Sequence, residues 1–133
     1  MHDQQYSVVA ARRQAYDVLL WQVPALGIAA QGFLVSAALG AEVSAVVSTA
    51  LFLFSFMVGL SVVWLFWKIR LHEVADSELL KEFEKIRSEE GFSVVHGQRV
   101  AGFSAYRLWL ILLLAFTSVE CLGTIIMYGR IPV

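Results

Sequence analysis

Charge is scarce where this chain is most apolar, and that scarcity sorts the possible functions. Val18–Leu39 and Val43–Trp67 contain no charged residue, and Leu108–Tyr128 contains one, Glu120. Cysteine is nearly absent as well. The single Cys121 excludes an intrachain disulfide and a cysteine-built zinc cluster, and its place inside an apolar run reads as packing. No glycine-rich phosphate loop, no nucleophile beside a base and no basic tract occurs, so the chain reads as non-enzymatic, without a cofactor and without a nucleic-acid partner. Residues 1–17 are polar and lack the short apolar core and small-residue cleavage site of a secretory leader. Repeats and low-complexity tracts are missing too.

Apolar surface, by contrast, is in excess. Hydrophobic residues make up 59% of the chain, whereas an ordinary soluble domain has about 45–50%. The mean hydropathy is +0.70. Helices covering each of the three apolar runs would rise roughly 30 Å or more, enough to cross the hydrocarbon core of a bilayer. The fold class expected is therefore an all-α membrane protein with three transmembrane helices and a mostly helical cytoplasmic loop between the second and third. Residues 1–17 form a cytoplasmic segment, either a helix that lies at the membrane surface or continues into the first span, or a frayed terminus. Residues 18–67 form a transmembrane hairpin, closed by the short Gly40-Ala41-Glu42 connection. Residues 68–107 form the loop, 108–128 the third span and 129–133 a short external tail.

Orientation follows from the basic residues, which favour the cytoplasmic side. The N-terminal segment and loop hold Arg12, Arg13, Lys68, Arg70, Lys81, Lys85, Arg87, Arg99 and Arg107, while Arg130 alone lies on the other side. Trp21, Trp64, Trp67 and Trp109 fall at the same end of the spans, as interface anchors do. The reading is an inner (cytoplasmic) membrane protein, if bacterial, with its N-terminus inside and its C-terminus outside.

Within the first span, Pro24 removes a backbone hydrogen bond and predicts a kink. Ala25, Ala29, Gly32 and Ser36 recur every three or four residues, as do Ser55 and Gly59 in the second. Small residues let helix backbones approach closely, the main basis of helix association in lipid. Phe52, Phe54, Phe56 and Phe66 read as lipid-facing or inter-subunit surface. In the loop, Leu79, Leu80, Phe83 and Ile86 share one helix face and Gly91 reads as a helix stop. A short hairpin or irregular re-entry is expected around His96-Gly97 and Gly102. Too few apolar residues occur here for an independent core, so the loop must lean on the membrane part or on a partner. His72-Glu73-Val74-Ala75-Asp76 has a zinc-like spacing, but His2 and His96 are isolated and no third ligand is at hand. A solvated helix face accounts for it.

Glu120 is the residue that demands an explanation. A carboxylate at mid-bilayer costs at least a few kcal/mol, so it must be neutral, paired or facing water. With the first and third spans running the same way, Gln31 lies thirteen residues past Val18 and Glu120 thirteen past Arg107, at similar depth. A hydrogen bond between them is available within or between protomers. Thr117 and Thr124 share the Glu120 face and extend a polar line. Two roles compete: a neutral Glu120 that fastens the bundle, and a Glu120 that lines an ion or proton path. Three helices do not readily enclose such a path, so self-association into a closed symmetric assembly is expected. Two functions follow. One is a homo-oligomeric bundle that conducts ions or protons or perturbs the membrane barrier, with the loop sensing or coupling. The other is an accessory or scaffold subunit, including an immunity-type binder, that holds a partner protein through residues 68–107. A small transporter is a weaker third.

Overall fold

A computed structural model describes residues 3–88, 91, 93–95 and 104–131. The described residues form three helices: α1 (Asp3–Ala38), α2 (Ala45–Ile86) and α3 (Ala105–Tyr128). Each is long and apolar enough to cross a membrane. From Asp3 onward the N-terminal segment is the start of α1 itself, continuing into the first span, and Pro24 sits inside that unbroken helix. The second span likewise runs on without a break as far as Ile86, because Lys68, Arg70, Leu71, Glu73, Ala75, Leu79, Leu80 and Lys81 after Trp67 are good helix formers. Gly91 follows the end of α2 with φ +89°, a left-handed conformation that glycine adopts without strain. The expected hairpin around His96, Gly97 and Gly102 lies outside the described residues.

Two compact units share these helices. One consists of Met1–Trp21 and Phe66–Phe103. Here the beginning of α1 and the end of α2 pack antiparallel, as the pairs Tyr6–Glu84, Arg12–Asp76 and Arg13–Glu73 record. The loop thus leans on the N-terminal segment. Its apolar contacts are Phe66, Ile69, Leu80 and Phe83, all buried, with the Tyr6 ring 4.8 Å from that of Phe83. Leu79 and Ile86, expected on the same face, are exposed.

Three acids are buried in this unit, and each has found donors. Asp76 accepts from both Nε and Nη2 of Arg12, a bidentate pair. Glu73 accepts from Arg13 at 3.2 Å and from Arg70. Glu84 accepts from the Tyr6 hydroxyl and from the backbone N–H of Val95, both at 2.8 Å, which ties the chain after α2 back onto the helix pair. His72 stacks on Tyr16 with centroids 5.6 Å apart. Glu73 and Asp76 therefore serve guanidinium groups, and the zinc-like spacing has this ion-pair network as its structural meaning.

The other unit consists of Gln22–Leu65 and Ser104–Val133, an up-down-up bundle. Ser44 precedes α2, its Oγ accepting the Val47 N–H at 3.4 Å. The Ser48 hydroxyl donates to the Ala38 carbonyl and closes the α1–α2 turn. Close approach is set by glycines on all three helices. A Cβ on Gly27 of α1 would lie 2.6 Å from Val62 of α2, and one on Gly123 of α3 would lie 2.6 Å from Phe52 of α2. Phe52 is accordingly a buried residue here, and Phe66 is buried in the other unit, so two of the four phenylalanines expected on the outer surface pack inside.

The small-residue stripe of α1 turns outward. Ala25, Ala29 and Ser36 are exposed, and a Cβ at Gly32 would meet nothing within 4 Å. The inward face is the neighbouring one, Pro24, Gly27, Gln31 and Ala38, one residue and thus about 100° round the helix. Gly27→Ala is expected to destabilise the bundle by about 1–3 kcal/mol through overpacking. Gly32→Ala should be neutral or stabilising by up to about 1 kcal/mol. Unfolding titrations of the two variants in detergent check this pair.

The Tyr6 phenol is pushed above its ordinary value of 10.0, first by burial and then by its hydrogen bond to the Glu84 carboxylate. A raised value in the folded state means a contribution that is complete below pH 10 and lost as the phenol ionises at still higher pH. Tyrosinate absorbance should therefore show a late-ionising tyrosine that Tyr6→Phe removes and that Glu84→Gln brings back toward the ordinary range.

Candidate functional site

Inside the Gln22–Leu65 and Ser104–Val133 unit, each helix contributes one polar side chain to a single point. Glu120 of α3, Gln31 of α1 and Ser55 of α2 are all 0% exposed. Their meeting is a consequence of the helix repeat. On α1, Gln31 lies four residues after Gly27 and seven before Ala38, on the face packed inward. On α3, Leu113, Thr117 and Glu120 are the buried residues, at spacings of four and three. On α2, Ser48, Phe52, Ser55 and Gly59 form the corresponding face.

The geometry is specific. Gln31 Nε2 donates to Glu120 Oε2 at 2.9 Å, and the Ser55 hydroxyl donates to Glu120 Oε1. Gln31 Nε2 also reaches Thr117 Oγ1, at 3.5 Å a weak contact. Thr117 sends its own hydroxyl hydrogen to the Leu113 carbonyl at 2.8 Å. Gly59 forms the floor. A Cβ there would collide with Gln31 Nε2 and lie 2.5 Å from Thr117 Oγ1 and 3.2 Å from Glu120 Oε2. The polar cluster is thus pressed against bare helix backbone, and only glycine leaves it room.

Two details separate this site from an ordinary buried network. First, Gln31 Oε1 is buried and has no hydrogen-bond partner among the described residues. A buried acceptor left without a donor is uncommon and costs roughly 1–3 kcal/mol. Second, Ser55 departs from the habit of its neighbours. Thr49, Ser61, Thr117, Ser118 and Thr124 each donate to the carbonyl four residues back, at 2.7–2.9 Å. That local bond is the usual one for a hydroxyl within a helix. Ser55 gives its hydrogen to the carboxyl across the bundle instead.

Of the polar line expected on α3, then, Glu120 and Thr117 meet Gln31, while Thr124 turns its hydroxyl to the Glu120 backbone carbonyl and stays outside the cluster. Ser55 and Gly59, read from sequence as contact residues for helix packing, belong to the site itself. Their signal was present in the spacing Ser48-Ser55-Gly59, but small size alone does not distinguish a spacer from a hydrogen-bond donor. The cluster also closes within one chain. Sequence reasoning looked to further copies to enclose Glu120; three helices of a single copy bury it completely, because Gly59 and Gly123 bring the helices close. Trp21, Trp64 and Trp67 are each more than half exposed and Trp109 is half-buried.

Among the described residues no group of three His, Cys, Asp or Glu is placed to hold a metal ion. Chemically the cluster can hold a carboxyl group and supply it with two neutral donors. Gly59→Ala is expected to break it more severely than Gly27→Ala breaks packing, since the methyl displaces hydrogen-bonding groups as well as filling space. A loss of about 2–5 kcal/mol is the scale for overpacking plus an unsatisfied buried polar group, measurable by the same detergent unfolding series.

Comparison of the chain with protein families, with characterised proteins and with solved structures found no match in any of the three.

Proposed function

We propose that this chain is a non-enzymatic integral membrane protein that assembles with copies of itself and carries protons or ions across, or perturbs, the bilayer. Residues 68–107 then act on the cytoplasmic side to sense or couple. The observation that supports it is Glu120: a wholly buried carboxyl, donors from two other helices, and no basic side chain anywhere in the apolar runs. An acid kept in such surroundings is costly, and intramembrane acids of this kind typically mark ion and proton pathways. Self-association is supported by the outward stripe of Ala25, Ala29, Gly32 and Ser36, which none of the described helices covers. The N-terminus and the 68–107 region lie inside and the C-terminus outside on the distribution of basic residues.

A second reading has its own support. Glu120 is satisfied by partners from its own chain, so it also suits a bundle fastener in an accessory or scaffold subunit that regulates another protein. The ion-paired helix pair of Met1–Trp21 and Phe66–Phe103 would then be the part that meets the partner.

Liposomes containing the purified chain separate the two. Conduction predicts discrete oligomers and a pH-dye or ion flux that Glu120→Gln reduces at least tenfold, roughly the rate effect of 1.4 kcal/mol on a barrier, while helicity is kept. A tight membrane with wild-type protein, together with co-purification of a specific partner that deletion of 68–107 abolishes, would instead favour the scaffold.

A further inference from the structure

We propose that the ligand of Glu120 is a proton and not an alkali cation, and that the Ser55 hydroxyl changes partners as the proton arrives. This rests on the reading of Glu120 as the working group and names what it takes.

Three observations carry it. The atoms facing the carboxyl present hydrogens: Ser55 Oγ–H to Oε1 and Gln31 Nε2–H to Oε2. A hard cation is bound by lone pairs, from several oxygens at once. Donors arranged in this way suit a carboxylate oxygen and would repel a metal ion placed beside it. Room is lacking too, because Gln31, Thr117 and Glu120 lie so close to the Gly59 backbone that a single methyl would not fit. A proton needs no such space. Finally, Ser55 has an alternative that its neighbours use. With the carboxyl ionised, Ser55 donates to it. When –COO⁻ takes up H⁺ from water to become –COOH, the new O–H donates to Ser55 Oγ. Ser55 then turns its own hydrogen to the Leu51 carbonyl, four residues back, as Thr49, Ser61, Thr117, Ser118 and Thr124 do with theirs. Every hydrogen keeps an acceptor in both states.

The groups that face Glu120 among the described residues are uncharged: Gln31 from α1, Ser55 and Gly59 from α2, and Thr117 and Thr124 from α3. The neighbouring Cys121 is a free thiol, partly exposed.

Infrared difference spectra of the full-length chain in phosphatidylcholine vesicles, stepped through pH in choline chloride, sodium chloride or potassium chloride, test the assignment. The expected result is a carboxylic-acid C=O band that shifts in D₂O, titrates reversibly, is absent in Glu120→Gln, and has a half-point that sodium and potassium do not move. Ser55→Ala should shift the band to higher frequency, as a carboxylic acid without that hydrogen bond, and Ser55→Thr should restore it. A half-point that falls as sodium or potassium rises would show competition and overturn the proposal. So would the lack of any Glu120-dependent band over the pH range in which helicity is constant. The salt series needs only the wild-type chain, so a variant that fails to fold does not blunt it. A liposome that passes no ion while this band titrates normally sinks conduction and leaves the proton site standing.

Discussion

One buried carboxyl sets the terms for the apolar bundle. An ionised acid away from water is tolerable only when its oxygens receive hydrogen bonds, and a neutral one still needs a place for its own hydrogen. Glu120 meets that requirement with one side chain from each of the other two helices. Apolar contacts between lipid-soluble helices are nearly indifferent to rotation, since one face of leucine is much like another. A three-helix hydrogen-bond point is not indifferent. It fixes the rotation of α1 about Gln31, of α2 about Ser55 and of α3 about Glu120, and the close glycine contacts follow from that register.

Gly59 shows how tightly register and chemistry are joined. It contributes no polar atom, yet its missing side chain is what allows amide, hydroxyl and carboxyl to converge on the face of α2. Gly27 and Gly123 do the same for packing alone, against Val62 and Phe52. Glycine is otherwise a poor helix residue by about 1 kcal/mol relative to alanine. Its presence at three contact points is explained by what each contact gains.

Much of this was legible from sequence, and the failures have a common cause. The three long apolar runs and the matching depth of Gln31 and Glu120 follow from length and periodicity, whereas the continuity of α1 through its polar start was only one of the readings that pattern allowed. The face of α1 did not. Ala25, Ala29, Gly32 and Ser36 form a small stripe, and Pro24, Gly27, Gln31 and Ala38 form another beside it; nothing in the periodicity of one helix says which stripe faces its own chain. Similarly, the mixed charges of residues 73–90, Glu73, Asp76 and Glu84 among them, read as a solvated or partner-binding helix face. Their burial depends on Tyr6, Arg12 and Arg13, some sixty to eighty residues distant in sequence, and a pattern local to α2 carries no trace of them. Sequence reasoning recovers what one helix does by itself and loses what depends on a distant partner.

The two ways this chain keeps acids out of water lead to different behaviour. Glu73 and Asp76 meet guanidinium groups, whose charge is fixed at any physiological pH, so each acid faces a partner that is always positive. The Arg12 guanidinium is accordingly pushed above its usual value by Asp76. Glu120 has neutral donors only, and neutral donors do not dictate charge. A hydroxyl can donate to a carboxylate or accept from a carboxylic acid with little rearrangement, and an amide carries both a donor and an acceptor. An arginine at position 31 or 55 would have locked the site as an ion pair, at the cost of burying a second charge. The choice of glutamine and serine gives Glu120 surroundings in which a carboxylate and a carboxylic acid alike find hydrogen-bond partners.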